Sequence, residues 1–209
     1  MQIATSYLKI QDEKENIEKL NKYTDIMHFD VMDGNFTVSK TLPFEKVRYN
    51  TLGVTKDKDI HLMVTDIYKY IDDYSKLNPN NITFHIEIGN TSDIINYIKS
   101  KNIKVGLALN PDTKVEEVVP YLKDIDVILV MSVTPGAGGQ KFIDISSKID
   151  FLYNYRVNNN LSYKIEVDGG INDNTIKIIK KADIAVVGSF ITDSSDYHQQ
   201  FLKLEEAYE

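Results

Sequence analysis

Apolar and polar positions alternate in short runs along this chain, and between those runs the apolar positions fall at a helical spacing. The stretch "MHFDVMDG" (residues 27–34) is the clearest short run. Side chains on a strand point alternately to its two faces, so His28, Asp30 and Met32 share one face and Phe29 and Val31 the other. Strands of this kind are predicted at residues 2–8, 25–32, 59–64, 81–87, 103–109, 126–132, 163–168 and 183–189. Helical periodicity fills the gaps, in Ile17 and Leu20, in Ile67, Tyr70, Ile71 and Tyr74, in Ile94, Ile95 and Ile98, and in Val115, Val118, Val119 and Leu122. Asp93 and Thr113 are the expected N-caps, and a short helix is expected near residues 43–49.

Strand and helix alternating eight times is the sequence form of a (β/α)8 barrel, with a doubly wound open sheet as its plainer competitor. No linker or low-complexity segment interrupts the alternation, so residues 1–209 are expected to form one TIM-barrel domain. Hydrophobic residues at 42% and charged residues at 26% are those of an ordinary globular protein. No apolar run is long enough to span a bilayer, and the first eight residues carry no signal-peptide pattern. A net charge of -7 argues against nucleic acid or an anionic membrane as partner. The absence of cysteine excludes disulfides and thiolate metal ligands and fits a cytoplasmic address.

In such a barrel the chemistry sits at the C-terminal ends of the strands. His28 and Asp30 end the second strand, His61 lies on the third, and Asp168 ends the seventh just before Gly169 and Gly170. Taken singly, a strand histidine is more often a hydrogen-bonded core residue and an Asp before Gly a turn former, which is how Asp33 before Gly34 reads. Taken together, two imidazoles and two carboxylates at one barrel end make an N/O site for a single divalent metal. Zn(II) is the first choice, with Fe(II), Mn(II) and Co(II) as alternatives. His85 reads as a satisfied neighbour inside the barrel and His198 as part of a polar terminal helix.

A second signal is glycine. "TPGAGGQKF" (residues 134–142) follows the sixth strand, "DGGIN" (168–172) the seventh, and "VVGSF" (186–190) closes the eighth. Glycine lets backbone N–H groups approach an anion, and three such loops in consecutive units favour phosphate over mere turn formation. Met32, Met63 and Met131 fall late in their strands and are either core filler or an apolar cap over the reacting centre.

The pieces "HFDVMDGNF", "HLMV", "GLALNPDT", "VMSVTPGAGGQKF", "IEVDGGIN" and "VVGS" resemble, in order and spacing, the ribulose-phosphate 3-epimerase family. The resemblance runs from "IATSYL" to Ser189, nearly the whole chain. It implies a (β/α)8 barrel of the ribulose-phosphate-binding type, a homo-oligomer, and metal-dependent interconversion of D-ribulose 5-phosphate and D-xylulose 5-phosphate. Carried over position by position, it implies His28, Asp30, His61 and Asp168 as metal ligands, with Asp30 and Asp168 as the acid/base pair. It also implies substrate contacts from Ser6, His61 and Asp168, from Met32, Met63 and Met131, and from the loop residues Gly136, Ala137, Gly138, Gly139, Gly169, Gly170, Gly188 and Ser189.

The chain departs from the family pattern at Thr5, where proline is usual, at Asn35, where histidine is usual, at residues 37–40, and at Ala137, where the loop usually has an aromatic. These changes spare the ligand set but alter the loop over the sugar. D-allulose 6-phosphate therefore stands as an alternative substrate, and a non-catalytic phosphosugar-binding barrel as the alternative class. A related decarboxylase or aldolase would carry an Asp-x-Lys pair, and the second strand has "DVM" there instead.

Overall fold

A computed structural model of the chain describes residues 1–137 and 139–209. Eight parallel strands close into a barrel in sequence order: β1 (Gln2–Ser6), β2 (Ile26–Met32), β3 (Asp57–Met63), β4 (Asn81–His85), β5 (Lys104–Leu109), β6 (Val127–Met131), β7 (Lys164–Asp168) and β8 (Ile184–Val187). Outside it lie α1 (Lys14–Leu20), α2 (Phe44–Asn50), α3 (Ile67–Tyr74), α4 (Thr91–Ser100), α5 (Ser146–Asn158), α6 (Ser189–Thr192) and α7 (Tyr197–Tyr208). The strand ends fall within two residues of those the alternation predicts.

Two layers of apolar packing hold the barrel. Phe29 and Val31 of β2, Ile60 and Leu62 of β3 and Ile82 and Phe84 of β4 point outward into a continuous cluster with Ile17, Ile71, Ile94 and Ile98 of the helices. Full burial of such a side chain contributes about 1.5–3 kcal/mol. The barrel interior is apolar only in part. Ala4, Ile26, Ile184 and Val186 form one inner cluster, and Ala108, Leu129, Met131 and Val133 another. The inner faces of β2, β3 and β4 instead carry His28, Asp30, Asp59, His61, Asn81, Thr83 and His85, all buried.

Three expectations need correction. The helix expected over residues 115–122 is a 3₁₀ stretch, Val115–Tyr121; on an α-helical path the Pro120 ring would clash with the carbonyl of Glu116, and Pro120 has no N–H to give. Asp93 lies inside the first turn of α4, whose N-cap is Asn90, and Thr113 spends its hydroxyl on Glu87 rather than on a cap. The fourth strand stops at His85, and residues Ile86–Ile88 turn tightly. That turn brings Glu87 back against His85. Among the described residues, no helix is long and apolar enough to cross a membrane.

Candidate active site

Register sets the layers of the site. Asp30 is the parallel partner of His61, Met32 of Met63, and Met131 of Asp168. Because residues two apart share a face, His28 and Asp59 form the layer below Asp30 and His61, and they too are register partners. His28, Asp30, His61 and Asp168 each offer one ligand atom, and the four atoms lie within 4.8 Å of one another. Three of these residues are buried, and Asp168 keeps partial exposure at the cavity floor.

Each imidazole is aimed by its rear nitrogen. His28 Nδ1 lies 2.6 Å from Asp59 Oδ2, and Asn81 donates to the other Asp59 oxygen. His28 Nε2 is turned toward Asp30 Oδ1 at 3.4 Å and, although buried, has no hydrogen-bond partner. An orphaned buried imidazole nitrogen is costly and calls for a partner such as a metal ion. His61 turns Nδ1 to the centre, 3.3 Å from Asp30 Oδ1 and 3.8 Å from Asp168 Oδ2. Its Nε2 lies 2.8 Å from His85 Nε2. Two nitrogens and two carboxylates with no sulfur fit a divalent ion of the Zn(II), Fe(II), Mn(II) or Co(II) type.

The two aspartates have opposite electrostatics. Burial alone would raise Asp30, but the neighbouring His28 and His61 rings hold its carboxyl well below the usual carboxylate range. Burial, then the negative charge of Asp30, pushes Asp168 up to about 7. Burial disfavours a charged His28, yet Asp59 and Asp30 outweigh it and hold its imidazolium well above the usual histidine range. With protein charges alone, Asp30 is ionised near neutral pH and Asp168 is poised to hold a proton. Ser6 donates to Asp30 Oδ2 at 2.6 Å and fixes that carboxylate.

Above this floor opens a cavity lined by Ser6, the three methionines Met32, Met63 and Met131, and the glycine loops. The loops after β6, β7 and β8 meet there. Gly170 has φ +62, and a Cβ on it would come within 2.8 Å of Phe142 N. A Cβ on Gly139 would lie 3.5 Å from Ser189 Oγ. Gly136, Ala137, Gly169, Gly188 and Ser189 line the same wall, while Gly138 lies outside the described residues. Thr37, in the departing loop, closes across the mouth: a Cβ on Gly136 would be 3.0 Å from its own. Asp33 does more than form a turn. Its Oδ1 accepts from the N–H groups of Asn35 and Phe36 at 2.8 and 2.9 Å, and its Oδ2 from Thr65 N and Oγ1, each at 2.8 Å.

A model of the ribulose-phosphate 3-epimerase family matches residues 2–192. The chain belongs to that family. Ribulose-phosphate 3-epimerase of Aquifex aeolicus (strain VF5) is 36% identical, with 87% of this chain and 83% of the relative covered. The Escherichia coli (strain K12) protein of the same name is 36% identical over 83% and 79%. The cytoplasmic isoform of Oryza sativa subsp. japonica is 31% identical over 99% and 92%. Among solved structures, 3-hexulose-6-phosphate synthase from Salmonella typhimurium superposes with a TM-score of 0.72 at 17% identity, covering 100% of this chain and 98% of that one. Orotidine 5'-phosphate decarboxylase from Pyrococcus horikoshii OT3 does so at 0.70 and 9%, covering 99% and 98%. At those identities the likeness speaks to the barrel fold shared beyond the epimerase family.

Several residues of the site escape the sequence reading. Asp59 and Glu166 lie two residues before His61 and Asp168, on the same strand faces, and the alternation alone puts them one layer below the ligands. Glu166 is buried with both oxygens unpartnered, 3.8 Å from His28 Nδ1. Burial and the Asp59 charge hold its pKa well above the carboxylate range. Lys9 is the single cation among the described residues lining the cavity, its ammonium 2.6 Å from Asp193. His198 stacks on Tyr23 with ring centroids 5.2 Å apart, away from the site.

Proposed function

We propose that this chain, folded as one barrel domain over residues 1–209, is a metal-dependent carbohydrate isomerase. It interconverts D-ribulose 5-phosphate and D-xylulose 5-phosphate at C3. The observation that carries this reading is the convergence of His28, Asp30, His61 and Asp168 at one barrel mouth, their ligand atoms within 4.8 Å of one another and one imidazole nitrogen orphaned. His28, Asp30, His61 and Asp168 would hold the ion, with Zn(II) as first choice. A divalent ion there supplies Lewis acidity, drawing electron density from the oxygens at the reacting carbons.

Epimerisation takes a proton from the carbon beside a carbonyl and returns one to the opposite face. Asp30, ionised, is the base, and Asp168, protonated, is the acid; their roles exchange in the reverse direction. Ser6 keeps the Asp30 carboxylate in place while it accepts the proton. Met32, Met63 and Met131 lay an apolar, polarisable surface around the reacting carbons and exclude water from the carbanionic intermediate. Backbone N–H groups of Gly136, Ala137, Gly139, Gly169, Gly170, Gly188 and Ser189 receive the phosphate, and Lys9 adds one side-chain charge to that end. A homo-oligomer belongs to this reading and is tested by light scattering on the same preparation.

Proton NMR in D2O on metal-loaded protein tests the reaction, with D-ribulose 5-phosphate and D-allulose 6-phosphate in parallel tubes. Deuterium entering C3 of the pentulose with appearance of xylulose 5-phosphate is the expected result. Preference for the hexulose would keep the chemistry and move the substrate. Exchange with neither would leave a phosphosugar-binding barrel without this activity.

A further inference from the structure

The "NPDT" piece of the sequence, residues 110–113, belongs neither to the four ligands nor to the cavity lining, yet a continuous chain of contacts joins it to His61. His61 Nε2 meets His85 Nε2 at 2.8 Å. His85 Nδ1 meets Glu87 Oε2 at 3.1 Å. The other Glu87 oxygen accepts from Asn110 N at 2.8 Å and from the Thr113 hydroxyl. Lys148 of α5 then clamps this loop from outside, donating to the carbonyls of Asn110, Pro111 and Thr113 at 3.0, 2.6 and 2.6 Å. Phe36 covers the middle link, its ring centroid 4.9 Å from that of His85.

The chain has a direction. An ionised carboxylate only accepts, so the proton between Glu87 and His85 sits on His85 Nδ1. A neutral His85 then presents a lone pair at Nε2, and His61 must donate its Nε2–H into it. That leaves the lone pair of His61 on Nδ1, the nitrogen facing Asp30 and Asp168. Two imidazole nitrogens in contact need one donor and one acceptor, and Glu87 decides which is which. We propose that His85 and Glu87 are positioning residues that set the His61 tautomer for metal binding, and that the 110–113 loop with Lys148 holds Glu87 in register. This rests on the reading of His61 as a metal ligand. The other ligand histidine is set differently, by Asp59 directly, so the relay belongs to His61 alone.

Two measurements on the full chain test it: Zn(II) affinity by competition with a chelator, and the ring-nitrogen NMR of His61 in Zn(II)-loaded protein. Wild-type protein is expected to carry the His61 proton on Nε2. His85→Phe removes the acceptor and is expected to weaken Zn(II) binding by about tenfold to a hundredfold. Glu87→Gln can face His85 with either amide atom, loses the directional bias, and is expected to weaken it by about tenfold. Should the phenylalanine variant fail to fold, the glutamine variant decides alone. A His61 proton on Nδ1 in the wild type, or a loss below about threefold in the folded variants, overturns the relay. Wild-type protein that takes up no Zn(II) would overturn the metal centre itself, and the relay with it.

Discussion

The two sides of the barrel mouth are built on opposite principles. From β2 to β4 the inner face is side chains, each aimed by another: Asp59 behind His28, His85 behind His61, Ser6 beside Asp30. From β6 to β8 the corresponding wall is backbone, and its residues matter for what they lack. Gly170 takes a left-handed φ of +62 with the next loop packed where its Cβ would be. One side therefore breaks when atoms are removed and the other when atoms are added. Asp168 stands where they join, the last residue of β7 and the first of "DGGIN".

The largest effect should come at that junction. Asp168→Asn keeps an oxygen and the shape but cannot pass a proton, so turnover should fall by about 10²–10⁴-fold in metal-loaded protein. Inhibition by inorganic phosphate should stay as in the wild type, because the glycine wall is untouched. Near-normal turnover would remove Asp168 from the acid/base pair. Gly170→Ala tests the other side by addition. Its methyl must displace the backbone at Phe142 and hold a strained φ, for a stability loss of about 1–3 kcal/mol. Phosphosugar affinity should drop while Zn(II) affinity stays. Equal losses of both would mean that the two sides are not separable.

How much of this was legible in the sequence follows the same division. The polar face of "HFDVM" and the glycine loops could be read because residue type and the period of two carry the information locally. The outward packing of Phe29 and Val31 followed from the same alternation, whereas the inner apolar clusters and the closed strand order needed the structure. The partners behind the ligands could not be read so easily. Asp59 and Glu166 look like ordinary charged residues of their strands; the alternation gives their face, but only closure of the barrel brings both beside His28 Nδ1. Glu87 is harder still. A continued strand would carry it past His85, and the turn at Ile86–Ile88, backed by Gly89 at φ +78, is what returns it. Residues 115–122 misled for a related reason: their spacing is helical, but the Pro120 ring would clash with the carbonyl of Glu116 on the α-helical path that the spacing presumes.

That returned carboxylate has a signature in acid. Burial would raise Glu87, but His85, Thr113 and the Asn110 N–H hold its pKa down to about 2. A carboxylate depressed in the folded state stabilises fully above its ordinary value of 4.5 and loses that contribution as pH falls toward the folded value. Wild-type protein should therefore lose more unfolding free energy between about pH 5 and pH 3 than Glu87→Gln does. Solvent screening of this half-exposed group keeps the difference modest. Parallel pH curves in urea titrations would show that the side-chain half does not depend on an ionised Glu87.

The smallest expected effect is the one that separates charge from backbone on the phosphate side. Lys9 reaches the cavity from the turn Leu8–Ile10 and pairs with Asp193, both side chains substantially exposed. Exposed pairs of this kind are worth about 0–1 kcal/mol, so exchanging Asp193 for a phosphate dianion costs little. Lys9→Ala should raise KM for the phosphosugar by about two- to fivefold and flatten its dependence on salt, with kcat held. If backbone alone binds the phosphate, KM and its salt dependence will match the wild type. If kcat falls instead, Lys9 acts on the reacting end, and the division of the mouth into a charged half and a backbone half would have to be redrawn.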